Sequence, residues 1–246
     1  MITEPQPRVS RGVWICFAVG VLSYVIAVFN RSSFGVAGLP AAERFSASAS
    51  DVASFAVVQL IVYAALQVPV GIMIDRFGSR RLIIIGGILM TVGQAMLALV
   101  GSITPALLAR VLIGAGDAFT FTCVLRLVSD WFPPRRVPVI TQMTGLLGQI
   151  GQIMSAIPFA ALLAVQPWTF SFLMAAAVTG LSTVIVIAFL KQPPRPTGSN
   201  PSPGWPEIRE TLAIAWRHPG TRLGLWVHFT SQFTNTVFAL LWGFPF

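Results

Sequence analysis

Three charged residues stand where charge is expensive. Arg31, Arg110 and Asp117 each lie inside a long apolar run, and a charge in such a setting needs a partner, a water-filled cavity or a task. A guanidinium is always charged, and its planar fork grips a carboxylate or phosphate through two hydrogen bonds. Arg31 is therefore a candidate anion ligand if it faces an internal cavity. If it stands near the outer end of its helix, it snorkels to water instead. Arg110 and Asp117 are seven residues apart, two helical turns, so they share one face. Two chemistries suit that face: a structural ion pair within a bundle, or a carboxylate that exchanges protons under the control of nearby guanidinium groups. Arg126 lies roughly opposite Asp117 and either snorkels or pairs with Asp130. Gln142, Gln149 and Gln152, with Gly145, form one polar stripe that either lines a cavity or packs polar against small.

A second constellation lies between two apolar runs: Gly71-Ile-Met-Ile-Asp75-Arg76-Phe-Gly78-Ser-Arg80-Arg81. Gly71 permits close helix packing, and Gly78 permits a tight reversal with positive φ. Asp75 can accept hydrogen bonds from the loop and from Arg side chains, while Arg76, Arg80 and Arg81 suit anionic headgroups. This segment resembles the signature cytoplasmic loop of the major facilitator superfamily, with every fixed position present. The resemblance extends through Arg110-Val-Leu-Ile-Gly114-Ala-Gly116-Asp117, although Ile113 replaces the usual polar residue. It continues through Trp131-Phe132-Pro133 and Gly145-Leu-Leu-Gly148, covering roughly residues 13–190. Tyr24-Val-Ile-Ala-Val-Phe-Asn30-Arg31 is similar to the first-span pattern of the anion:cation symporters and organophosphate antiporters. That likeness implies substrate binding by Arg31 and Arg110, with Tyr24 and Gln149 beside them, and proton coupling by Asp117. It also implies a conformational role for the Gly71–Arg81 loop. Where some symporters carry a carboxylate before the first-span Arg, this chain has Asn30. In the family such a half comprises two inverted three-helix repeats, here the spans up to Gly101 and those from Pro105 to Leu190.

The elements that must position these residues are set by composition. Of the 246 residues 55% are apolar and only 10% charged, and the mean hydropathy is +0.78; a soluble domain needs about 25% charged residues to cover its surface. Lipid is the solvent that removes the problem. Apolar runs predict spans at 13–35, 52–72, 82–101, 105–129, 138–163 and 169–190, with a seventh at 222–246. Each has the roughly 20 residues that cross about 30 Å of hydrocarbon. With residues 1–12 in the cytoplasm, twelve basic residues fall in cytoplasmic segments and only Arg44 outside, a strong positive-inside bias. The expected location is therefore the inner membrane, N-terminus cytoplasmic. Residues 191–221 read as a cytoplasmic linker, Pro/Gly/Ser-rich at first, then a short interfacial helix over Glu207–Arg217. The seventh run reads as truncated, so a missing C-terminal half or a second copy is expected to complete the assembly.

The fold expected is thus an all-α membrane protein, a six-helix bundle plus part of a seventh span. The net charge of +8 is spread in clusters between apolar runs, which disfavours nucleic acid as a partner. Cys16 and Cys123 sit in apolar runs and no CxxC exists, so no metal is expected. No nucleotide-binding loop is present, no cofactor is implied, and no enzyme constellation appears. The function expected is alternating-access secondary transport of a small organic anion, coupled to a proton or an anion. A non-transporting half and a drug or metabolite efflux carrier are the alternatives.

Overall fold

The structure, a computed structural model, describes residues 10–192 and 205–237. Within them are α1 (Arg11–Val36), a short helix α2 (Gly38–Phe45), α3 (Ala49–Phe77), α4 (Ser79–Leu99) and α5 (Ile103–Trp131). There follow α6 (Val137–Met154), a π-helical turn (Ser155–Phe159), α7 (Ala160–Val165) and α8 (Trp168–Phe189), then α9 (Trp205–Arg217) and α10 (Pro219–Val237). Six segments are long and apolar enough to cross a membrane: α1, α3, α4, α5, the α6–α7 unit and α8. Helices answer the lipid problem because every backbone bond closes within the segment. The described part of the linker contains the expected helix as α9, and α10 covers the described part of the seventh run; residues 193–204 and 238–246 lie outside the described residues.

The observed helices overrun several predicted spans, for physical reasons. In α3 the Ser48 hydroxyl accepts from the Asp51 amide at 3.2 Å while the Asp51 carboxylate accepts from the Ser48 amide at 2.9 Å. This capping box starts the helix before the hydrocarbon. The α6–α7 unit is one membrane span carrying a π turn at Pro158, where a ring without an N–H cannot continue the α-helical ladder.

Contacts between helices follow an internal symmetry. If α1–α3–α4 and α5–α6/α7–α8 are the two repeats, α3 packs on α5 as α6 packs on α1, and α4 packs on α5 as α8 packs on α1. One close approach is between α4 and α5. A Cβ on Gly86 would come within 2.6 Å of the Gly116 carbonyl oxygen, so backbones touch there, the small-residue packing that lipid-embedded bundles use. Burial is uneven. The core windows of α1 and α5 are each 61% buried, that of α3 17% and that of α6–α7 22%, so α3 and α6–α7 flank the open side of the bundle.

The two repeat-ending helices carry matching caps. Arg44 donates to the Val100 and Ala98 carbonyls at 3.1 and 3.3 Å, and Trp168 Nε1 donates to the Leu97 carbonyl at 3.0 Å. These are carbonyls that the end of α4 leaves without helical partners. Arg80 treats α8 likewise, donating to Leu190 at 2.6 Å and Ile187 at 2.8 Å. Arg44 is thus a helix cap rather than a free surface charge.

Candidate functional site

Arg31 of α1 and Asp117 of α5 meet in the middle of the bundle. Arg31 Nε donates to Asp117 Oδ2 at 2.7 Å and Nη2 to Oδ1 at 2.8 Å, the two-bonded fork that makes Arg–carboxylate pairs strong. The Asp117 side chain is 1% exposed and that of Arg31 24%, so the carboxylate is sealed while the arginine side chain keeps some exposure. Tyr63 of α3 closes the pair from below, its ring centroid 4.7 Å from the Arg31 guanidinium carbon. A ring face there stabilises a cation by about 1 kcal/mol. Tyr63 was not singled out from sequence, yet a signal existed. Gln59, Tyr63 and Gln67 recur every four residues on an otherwise apolar α3, which places them on one face. Gln67 then accepts from the Thr122 hydroxyl of α5 at 3.2 Å.

Arg110 shares a helix face with Asp117 but does not pair with it: Asp117 bonds to Arg31 instead. Arg110 is 1% exposed and lies with its guanidinium carbon 4.7 Å from the Phe34 ring centroid. Its Nε and Nη1 have no hydrogen-bond partner, and neither do the amide atoms of Gln59, itself 1% exposed. The structural Arg110–Asp117 pair offered by the sequence is therefore displaced by Arg31–Asp117. The helix repeat aligns Arg110 with Asp117, but about 10 Å of axial rise separates them, and α1 delivers a nearer cation.

Tyr24 is buried, its ring 4.7 Å from that of Phe121 and pressed against Gly148 of α6. Gln149 and Gln142 are exposed, and a Cβ on Gly145 would meet nothing within 4 Å, so the polar stripe lies on the open side rather than in a helix seam. Among the described residues, no cluster of three His, Cys, Asp or Glu could hold a metal.

At the opposite end Gly78 turns α3 into α4 with φ +81°, a left-handed value that glycine adopts without strain. Asp75 pairs with Arg126 of α5 at 3.5 Å, and the same guanidinium reaches Asp130 at 3.1 Å. Arg126 thus joins the loop to α5, which the sequence reading confined to Asp130 or water. Arg81 is exposed, and Arg76 lies over the Phe77 ring at 5.4 Å. Arg80 departs from the headgroup role expected of it, since its bonds go to the end of α8. Gly71 departs too. A Cβ there would meet nothing within 4 Å, because Gly71 stands on the exposed side of α3 while its neighbours Val70 and Ile74 face the core.

Known proteins share this pattern. The Probable L-galactonate transporter of Escherichia coli (strain K12) is 28% identical over 172 residues, 70% of this chain and 38% of its own length. The Hexuronate transporter of Bacillus subtilis (strain 168) is 24% identical over 211 residues, 85% of this chain and 46% of its own. The chain therefore spans less than half the length of these curated relatives. A bacterial homologue of the human lysosomal transporter Spinster, solved inward-facing and unoccupied, superposes with a TM-score of 0.69 at 18% identity, over 87% of this chain and 49% of that one; this likeness concerns the fold alone. The family model described as Major Facilitator Superfamily matches residues 20–246, and on that match, with the loop and the six-helix bundle, the chain belongs to the major facilitator superfamily.

Proposed function

We propose that this chain forms one wall of a secondary transporter that moves a small organic anion by alternating access, with proton or anion coupling. One observation carries the reading: a two-bonded Arg31–Asp117 pair in which the Asp117 side chain is sealed and the Arg31 side chain is a quarter exposed. A carboxylate substrate reaching Arg31 competes with Asp117 for the same fork. Asp117, once displaced, is a bare charge in a site nearly without solvent, and taking a proton removes that cost. Release of the anion reverses both steps, so substrate and proton move together. The relatives above are named for L-galactonate and hexuronate, sugar acids whose carboxylates suit a guanidinium.

Arg110 is placed for a second anion contact that requires the Phe34 cover to move. Tyr24 and Gln149 frame the path on the α6 side. The Asp75–Arg126–Asp130 bridge, with Gly78 and Arg80, fixes the cytoplasmic ends of α3, α5 and α8 during the motion. The open side between α3 and α6–α7 needs a facing wall, from a second six-helix bundle or a second copy of this chain. The membrane is the inner membrane, with the N-terminus in the cytoplasm. Two guanidinium groups against one carboxylate in the described interior disfavour efflux of a cationic drug.

Uptake of radiolabelled L-galactonate, hexuronates and related acids into proteoliposomes under an imposed pH gradient tests the proposal, with the chain alone and with a complementary bundle. Saturable uptake lost in Arg31→Ala is the expected result. Uptake indifferent to Arg31, or confined to cations, would remove the anion reading. Failure of every preparation to transport would favour a non-transporting role.

A further inference from the structure

The residue beside Arg31 is engaged more fully than any other polar group in the bundle. Asn30 is wholly buried, about 100° round α1 from Arg31, and it faces α4 and α8 while Arg31 faces α5. Its Nδ2 donates to the Ile26 carbonyl at 2.7 Å and to the Thr179 hydroxyl of α8 at 2.9 Å. Its Oδ1 accepts from Gln94 Nε2 of α4 at 2.7 Å, and Gln94 Nε2 also donates to Ser33 at 3.2 Å. Thr179 passes its own proton to the Ala175 carbonyl at 2.8 Å. Both donors and the acceptor of Asn30 are used, and the two helices that hold them are α4 and α8, the last helix of each repeat.

We propose that Asn30, Gln94 and Thr179 are positioning residues for the Arg31–Asp117 pair: they clasp α1 between α4 and α8 and thereby set the rotation that aims Arg31 at Asp117. The claim rests on the ion pair assigned a transport role above, but only on its geometry. A polar knot in hydrocarbon is rotationally specific because any other rotation of α1 strands Asn30 among apolar side chains. Rotating α1 by one residue's worth would swing Arg31 toward α4 and α8. An amide is required at position 30 as well. A carboxylate has no proton for the Ile26 carbonyl, so it would lose that contact, and it would hold Thr179 only by turning the threonine hydroxyl from acceptor to donor. The asparagine is thus part of the clasp, and Asn30→Asp is expected to loosen the site rather than add a second proton carrier to it.

The test reads the exposure of Asp117 without needing substrate. The full chain in native membranes is treated with a hydrophobic carbodiimide, which modifies carboxyl groups that are not held in ion pairs, and Asp117 labelling is quantified by mass spectrometry. Thr179→Val keeps the side-chain shape and removes the hydroxyl; Thr179→Ser keeps the hydroxyl. Asn30→Ala and Thr179→Val are expected to raise Asp117 labelling about fivefold, the loss of roughly one neutral hydrogen bond. Thr179→Ser should stay at the wild-type level. If Asn30→Ala fails to fold, Thr179→Val against Thr179→Ser decides. Wild-type labelling in folded Thr179→Val, or equal increases in Thr179→Val and Thr179→Ser, would overturn the proposal. Labelling that behaves as expected in a chain that moves no anion would sustain the clasp and sink the transport reading instead.

Discussion

Replacing Asp117 by Asn keeps the shape of the side chain and removes the charge that faces Arg31. The two-bonded fork of 2.7 and 2.8 Å is lost, and the guanidinium keeps the Tyr63 ring and one bond to a neutral amide oxygen. Breaking a buried pair from one side costs about 3–5 kcal/mol. Because the Arg31 side chain is 24% exposed and solvent discounts the penalty, the cost falls to the bottom of that range or just below it, about 2–3 kcal/mol. Arg31→Met strands the 1%-exposed carboxylate and should reach the upper part, about 4 kcal/mol. The double variant removes both charges and should lose less than Arg31→Met alone, since no charge is left unpaired. A fluorogenic maleimide reads this directly in detergent, because Cys16 and Cys123 are both buried and react on unfolding. At about 2–4 °C per kcal/mol for a chain of this size, Asp117→Asn should lower Tm by about 5–10 °C. Additive losses in the double variant would refute the pairing.

Three further outcomes follow from the end of the bundle that carries Gly78. Gly78→Ala forces a side chain into φ +81° and against the Gln192 amide, and thermal unfolding should show a loss of about 1–2 kcal/mol that Gln192→Ala does not fully restore. Arg80→Ala uncaps the Ile187 and Leu190 carbonyls, so trypsin should cut after Lys191 several-fold faster, by about 1–2 kcal/mol of lost local protection. Arg81→Cys, at an exposed loop position, should react with an impermeant maleimide in inverted vesicles and not in intact cells; the reverse pattern would invert the assigned orientation.

Much of the fold was legible because hydrophobic length is a one-dimensional signal. The charge-free stretch from Leu82 to Gly101 reads as a span on its own, and α4 occupies it. Gly78 was legible for a similar reason, since turn chemistry is local. The site was legible residue by residue but not in its pairing. A sequence displays the repeat that aligns Arg110 with Asp117, yet it does not display the crossing of α1 and α5 that places Arg31, 86 residues away in the chain, on the same carboxylate. Asn30 shows the same limit. As a residue type it reads as an absent carboxylate, and only the approach of Gln94 and Thr179 reveals what the amide holds. Gly71 errs the other way, because a motif glycine implies a close neighbour and the described bundle places none there.

The most direct measurement of the central claim is a count of protons when an anion binds. The purified protein, with a complementary bundle if binding requires one, is mixed with a sugar acid in weakly buffered solution containing a pH indicator, beside calorimetry for the bound fraction. If the anion takes Arg31 from Asp117, about one proton enters the protein per anion bound, and Asp117→Asn binds the anion with no proton change. Anion binding without proton uptake in the wild-type protein, or equal uptake in Asp117→Asn, would contradict the account.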